Sequence, residues 1–207
     1  SMSEDEFKVS KLVRDYYDGR KVHLIKLAPF LWPSAHPPFV FWPKESKYFL
    51  DLVEKSLEDV GGNDTVVFFC HYPLNLFDDT KSSNGNTMES FVQKPSSQRY
   101  FISGHMHPPN AYFQHQGNGF EAIAPALKVS GKFGFFSLDH GRFVYKTIGN
   151  SRLRKYYVTS PVPDDQLTPN TPFYEKKGYI RVRAFTTTTP NITVSGDVSG
   201  AMQCRNV

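Results

Sequence analysis

The run Thr65-Val66-Val67-Phe68-Phe69-Cys70 does most to narrow the folds open to this chain. It is unbroken, apolar and rich in β-forming residues, so it has no polar face to turn to water. Such a segment suits a central strand buried on both sides, the arrangement of a parallel sheet covered by other layers. The residues just before it predict a helix over 44–60. Phe49, Leu52, Val53, Leu57 and Val60 recur at helical spacing, Pro43 sits where a missing N–H costs nothing, and Gly61-Gly62 supplies the stop. Short apolar strands at Val22–Leu27 and Tyr100–Ser103 flank the pair. Strands alternating with helices predict an α/β fold.

Around this kernel, the charged first twenty residues suggest a helix through Phe7–Tyr17. The stretch 29–43 contains five prolines, which exclude a helix. Its Phe30, Trp32, Phe39, Phe41 and Trp42 argue for an ordered loop packed on the surface. A surface loop is expected over 74–86 and a short helix over Asn86–Lys94. Phe120–Leu127, Lys132–Leu138 and Arg142–Ile148 read as strands of an antiparallel meander, with Asp139-His140-Gly141 as the turn between the last two. From Asn150 the pattern is all β: Lys155–Thr159, Tyr179–Phe185 and Asn191–Ser195, separated by a Pro/Asp-rich loop at 160–172. Two units are therefore expected, 1–150 and 151–207. The second supplies at most half of a β-sandwich, which usually needs about seven strands.

Length and composition set the outer bounds. At 207 residues, 39% hydrophobic and 21% charged, the chain can bury a core and is not a disordered sequence. No apolar run approaches the ~18 residues that cross a bilayer. Cys70 and Cys204 lie far apart, which excludes a CxxC zinc site and a disulfide-stapled miniprotein; Cys70, ending an apolar run, is expected to be a buried free thiol. The net charge of +4 falls entirely in 151–207, with 8 Lys/Arg against 4 Asp/Glu, whereas 1–150 balances at 16 of each. No basic stripe interleaved with stacking aromatics accompanies it, so a nucleic-acid partner is not expected. No apolar segment marks a leader peptide, and Ser1 before Met2 suggests a trimmed tag on part of a longer parent polypeptide.

The candidate chemistry lies in histidines. His71 directly follows the first apolar strand, in Phe69-Cys70-His71-Tyr72-Pro73, and His105 and His107 follow the next, in Ser103-Gly104-His105-Met106-His107-Pro108. In open α/β sheets, groups just beyond the carboxyl ends of neighbouring strands converge on one crevice. Gly104 is read as permitting a tight turn there. Neutral imidazoles in such a cluster are natural ligands for zinc, iron or manganese. Any one of the three could be an ordinary core-edge residue; the paired pattern is what carries the reading. His23, His36, His115 and His140 lack this context and are expected to be structural or exposed.

With these motifs in place, the chain resembles the C-terminal half of a calcineurin-like metallophosphoesterase. His71 matches the family's lone-histidine motif and Gly104-His105-Met106-His107 its closing GHxH motif. The Pro/Phe-rich loop, Phe69-Cys70-His71-Tyr72-Pro73, the Lys155–Pro161 segment and Tyr179–Phe185 are most similar to the transmembrane protein 62-like branch. In that branch an Ig-like β domain follows the phosphoesterase domain and precedes membrane helices. The resemblance implies an incomplete metallophosphoesterase-type β-sandwich flanked by helices, followed by part of an Ig-like domain. It implies that His71 and His105 ligate one metal (Zn, Fe or Mn) of a two-metal site and His107 the other. It also implies hydrolysis of a phosphate-ester substrate by metal-activated water. The parent would be tethered to a membrane, with this part lumenal or extracellular; the sequons at Asn63 and Asn191 accord with that.

The family's acidic motifs are missing. No Gly-Asp-x-His, Gly-Asp-x-x-Asp or Gly-Asn-His occurs in the sequence. Without a bridging carboxylate, three neutral imidazoles must hold two dications that repel each other, so at most one metal is expected in this chain alone, with trace activity. Two other readings stay open: a degenerate phosphoesterase-like module with a binding or structural role, and an unrelated single-metal His₃ enzyme. A missing half would leave a sheet face bare, which predicts self-association or capture of a complementing N-terminal fragment.

Overall fold

In the computed structural model, the described residues are 8–16, 19–33, 41–44, 46–93, 96–117, 119–139, 141–149, 156–169, 171, 179–185, 187–196 and 199–203. His36, His140 and Cys204 lie outside them. The chain opens with β1 (Lys8–Asp15) and β2 (Lys21–Ala28), then the short pair β3 (Phe30–Pro33) and β4 (Phe41–Lys44). Helix α1 (Lys47–Ser56), β5 (Thr65–Phe69), α2 (Met88–Gln93), β6 (Gln98–Ser103), β7 (Tyr112–Gln116) and β8 (Gly119–Ile123) follow. One turn, α3 (Leu127–Ser130), leads into β9 (Lys132–Asp139) and β10 (Arg142–Gly149). The last elements are β11 (Tyr156–Ser160), β12 (Arg181–Ala184), β13 (Thr193–Val194) and β14 (Gly200–Ala201). The protein is thus mixed α/β, mostly strands with few helices.

Six strands form one sheet in the order β1-β2-β5-β6-β8-β7. β2, β5, β6 and β8 are parallel, and the edge strands β1 and β7 run antiparallel to their neighbours. The crossovers β2–α1–β5 and β5–α2–β6 step across the sheet in the same direction. Right-handed connections of that kind place both helices on one face. There Phe49, Leu50 and Val53 of α1 and Met88, Phe91 and Val92 of α2 pack on Ile25, Leu27, Val66, Phe68 and Phe101. The β9–β10 hairpin closes the opposite face, where Phe143 and Tyr145 bury Val67, Tyr100, Phe120 and Ala122. Tyr100 stacks on Phe143 with ring centroids 4.3 Å apart. β5 is thus apolar on both sides because both sides are covered, each fully buried Val or Phe contributing about 1.5–3 kcal/mol.

Several expectations are corrected here. Residues 8–15 are an edge strand rather than a helix: their burial alternates residue by residue, and the register Lys8↔Ala28 to Asp15↔Lys21 fixes them to β2. Charges on the outward face of an edge strand resemble those on a solvated helix. Helix α1 starts later than Pro43, because Pro43 and Lys44 pair with Leu31 and Phe30 in the β3–β4 ladder and Ser46 is the cap, its Oγ accepting from Phe49 N–H at 3.1 Å. The antiparallel meander is also corrected. β8 runs parallel to β6 in the large sheet, whereas β9 and β10 pair only with each other. Over the central strands, helices α1 and α2 cover one side and the hairpin the other.

The C-terminal strands dock on the outside of the hairpin. Phe135 stacks on Tyr157 at 5.0 Å and meets Phe185 edge-on at 5.7 Å. Gln166 acts as a substitute strand for β10: its Oε1 accepts from Tyr145 N–H at 2.7 Å, and its Nε2 donates to Tyr145 C=O at 2.9 Å.

Candidate functional site

The parallel ladder of β5 and β6 continues past the strand ends. Cys70 N–H donates to Ile102 C=O at 3.0 Å and Gly104 N–H to His71 C=O at 3.0 Å. These bonds bring the chain segments after the two strands side by side and fix where their histidines emerge. His71 is exposed and His105 half-buried, with His105 Nδ1 and His71 Nε2 3.2 Å apart and the rings nearly perpendicular at 80°. Tyr72 forms the floor. It is 3% exposed, and its ring lies 4.8 Å from that of His71 and 4.9 Å from that of His105.

Backbone geometry sets the two downstream histidines apart. His105 has φ +64° and His107 φ +49°, the positive-φ non-glycine residues among those described. In the left-handed region a side chain costs about 1–2 kcal/mol, although histidine visits it more often than most residues. Gly104, by contrast, is not in that region, and a Cβ there would meet only His71 C=O at 3.6 Å, an ordinary contact. The tight turn is therefore made by the histidines, not by the glycine.

Burial first, then the neighbouring His71 and His107, hold the His105 imidazole below its usual pKa. It is therefore neutral at pH 7, with a lone pair to offer. Whichever ring of the His71–His105 pair carries the shared proton, one nitrogen donates and the other accepts. The 3.2 Å separation also fits metal ligation: two nitrogens bound to one tetrahedral zinc at about 2.0–2.1 Å lie about 3.3 Å apart. His107 is exposed and, after burial and His71, contributes to the lowered pKa of His105. Among the described residues, no three His, Cys, Asp or Glu side chains form a group that could hold a metal ion. The structure thus joins His71 to His105 and leaves His107 apart.

The other histidines behave differently. His23, fully buried, bonds Asp64 Oδ2 through Nε2 at 3.0 Å, at the opposite end of the sheet. Burial pushes the Asp64 carboxyl up, but bonds from Lys21 N–H, His23 and Gly61 N–H outweigh it and hold the carboxyl below its usual pKa. His115 is exposed on β7. Cys70 is a free thiol, half-buried rather than fully so, and desolvation pushes its pKa up to about 12.

Two residues beside the histidines were not singled out from sequence. Tyr72 carries both rings, and Glu121 on β8 lies beneath the two loops. The signal for Glu121 was a single acid inside the apolar run Phe120–Ile123. Compared with protein-family models, curated proteins and solved structures, the chain matches none of them.

Proposed function

We propose that this chain carries one side of a metal-dependent phosphoesterase site, with His71 and His105 holding one divalent metal ion. The observation that supports this reading best is the facing pair of ring nitrogens, 3.2 Å apart beyond the ends of adjacent parallel strands. A bound metal of this kind supplies Lewis acidity toward a phosphate oxygen and an activated water. The chain's own part is to present two imidazoles at fixed spacing, keep His105 deprotonated at neutral pH, and brace both rings on Tyr72. His107, exposed two residues after His105, is assigned to a second metal in the complete site. Two cations also require a bridging carboxylate, for which the sequence offers no matching motif. The 207-residue chain should therefore bind at most one metal and turn over an aryl phosphate only at trace rate. A complementing N-terminal segment or a second copy of the chain is the proposed partner.

Zinc and manganese titration of the pure chain by calorimetry, with metal content measured after gel filtration, tests this. One equivalent in the wild type, lost in both His71→Ala and His105→Ala, is expected. No binding by the wild type overturns the metal reading and favours the degenerate binding module. That second reading draws on the lack of a three-residue ligand group among the described residues.

A further inference from the structure

We infer that Glu121 is a positioning residue that holds the His71 and His105 segments at a fixed spacing through one carboxylate oxygen. Glu121 is 0% exposed, at the centre of β8 opposite Phe101. Its Oε1 accepts two hydrogen bonds, one from each histidine-bearing segment: Leu74 N–H at 3.0 Å, three residues after His71, and Ser103 Oγ–H at 2.8 Å, two residues before His105. The backbone bond from Gly104 to His71 fixes the spacing between the two main chains. Glu121 adds a tie beyond His71, at Leu74, and a second just before His105, at the end of β6, so one buried oxygen links the loop leaving β5 to the base of the turn that carries His105.

A carboxyl in this position is a poor choice for stability alone. Its Oε2 has no hydrogen-bond partner among the described residues, and such a buried orphan in a native protein calls for an explanation. Burial also raises the pKa of the group. In return the fold gains only two bonds, both at the segments that carry the histidines. Bonds to a carboxylate are shorter and about twice as strong as neutral ones. Groups that orient metal-binding histidines in this indirect way typically change metal affinity about 10- to 100-fold when removed. The link to metal rests on the proposed function; the geometric tie does not.

The test compares wild type, Glu121→Gln, Glu121→Ala and Ser103→Ala by NMR ring-to-ring Overhauser contacts among His71, Tyr72 and His105, with zinc titration alongside. Glutamine keeps an oxygen that accepts both bonds, so Glu121→Gln should keep the contacts and wild-type zinc affinity to within about threefold. Glu121→Ala should lose the His71–His105 contact while circular dichroism shows the fold intact, and weaken zinc about 10- to 100-fold. Should the alanine variant fail to fold, Ser103→Ala breaks the tie on the His105 side only and should weaken the same contact. Unchanged ring contacts in every folded variant that lacks the tie overturn the inference. A wild type that binds no zinc refutes the metal reading instead, and the ring contacts still decide the role of Glu121.

Discussion

Replacing His107 by glycine and, separately, by alanine isolates the backbone cost carried beside the site. His107 is exposed, with φ +49°. Alanine removes the imidazole but keeps the Cβ that crowds the following carbonyl, at about 1–2 kcal/mol. Glycine removes both, but its freer unfolded chain returns about 0.4–1 kcal/mol. The difference leaves His107→Gly about 0.5–1 kcal/mol more stable than His107→Ala. For a chain of this size that is about 1–4 °C in melting temperature. Urea denaturation followed by circular dichroism gives the same quantity as a shift in midpoint at constant slope. Gly104→Ala is the control: its φ is outside the left-handed region and its Cβ meets nothing closer than 3.6 Å. Alanine there should be neutral or stabilising by up to about 1 kcal/mol. Both His107 variants lose the same ring, so their metal affinities should match even though their stabilities differ. If His107→Gly melts at or below His107→Ala, residue 107 is not held in the left-handed region and the strain reasoning fails.

Gln166→Ala strips both partners from the buried Tyr145 backbone; it should cost about 1–3 kcal/mol, read as a lower urea midpoint. Cys70, its thiol pushed up to about 12 by burial, should resist iodoacetamide at pH 8 in the folded chain of a Cys204→Ser background and react promptly in urea. Glu121 has a folded-state pKa raised above its unfolded value, so its contribution is fully present below the ordinary carboxylate range and is lost as pH rises through the folded pKa. The stability of Glu121→Gln relative to wild type should therefore increase with pH from about 4 upward, and equal slopes of midpoint against pH in the two proteins would contradict this.

How much of this was legible depended on whether a residue's neighbours were local. β5 and β6 could be read because apolarity on both sides leaves an unbroken run, and α1 because its apolar stripe is local. β1 and β7 were missed or misread for one reason: each is an edge strand with one face in water, so polar residues such as Lys11, Arg14 and Gln114 interrupt its pattern. Strand partners were harder still. Sequence placed strands near 120, 132 and 142 correctly, but whether Phe120 pairs with Tyr100 or with residues of the hairpin is a long-range choice. Here covering the second face of the parallel sheet decided it. The same distinction holds at the site. His71 and His105 were visible because each follows a strand directly, whereas Glu121 acquires its role only through the register Phe101↔Glu121, which no local pattern encodes.

The two ends of β5 carry histidines in different settings. At the start of the strand, His23 is paired with a carboxylate that also accepts the Lys21 and Gly61 amides. That arrangement gives the buried ring a carboxylate partner and the acid two further donors, although His23 Nδ1 has no hydrogen-bond partner among the described residues. Beyond the far end, His71 faces another imidazole, so the gain is one hydrogen bond, and the His105 ring is held below its usual pKa by burial and by its neighbours. A carboxylate opposite His71 would have been the better stabiliser, and the left-handed backbone of His105 adds a further cost. Under the proposed function, the arrangement serves a metal ion, which would take the place of the proton between the two facing nitrogens. The substitution His105→Asp separates these demands: it should place a carboxylate beside His71 and raise stability below about pH 6, while moving the ligand atoms off their 3.2 Å spacing. A variant that neither gains acid stability nor changes zinc affinity would mean that the facing rings are an ordinary surface contact.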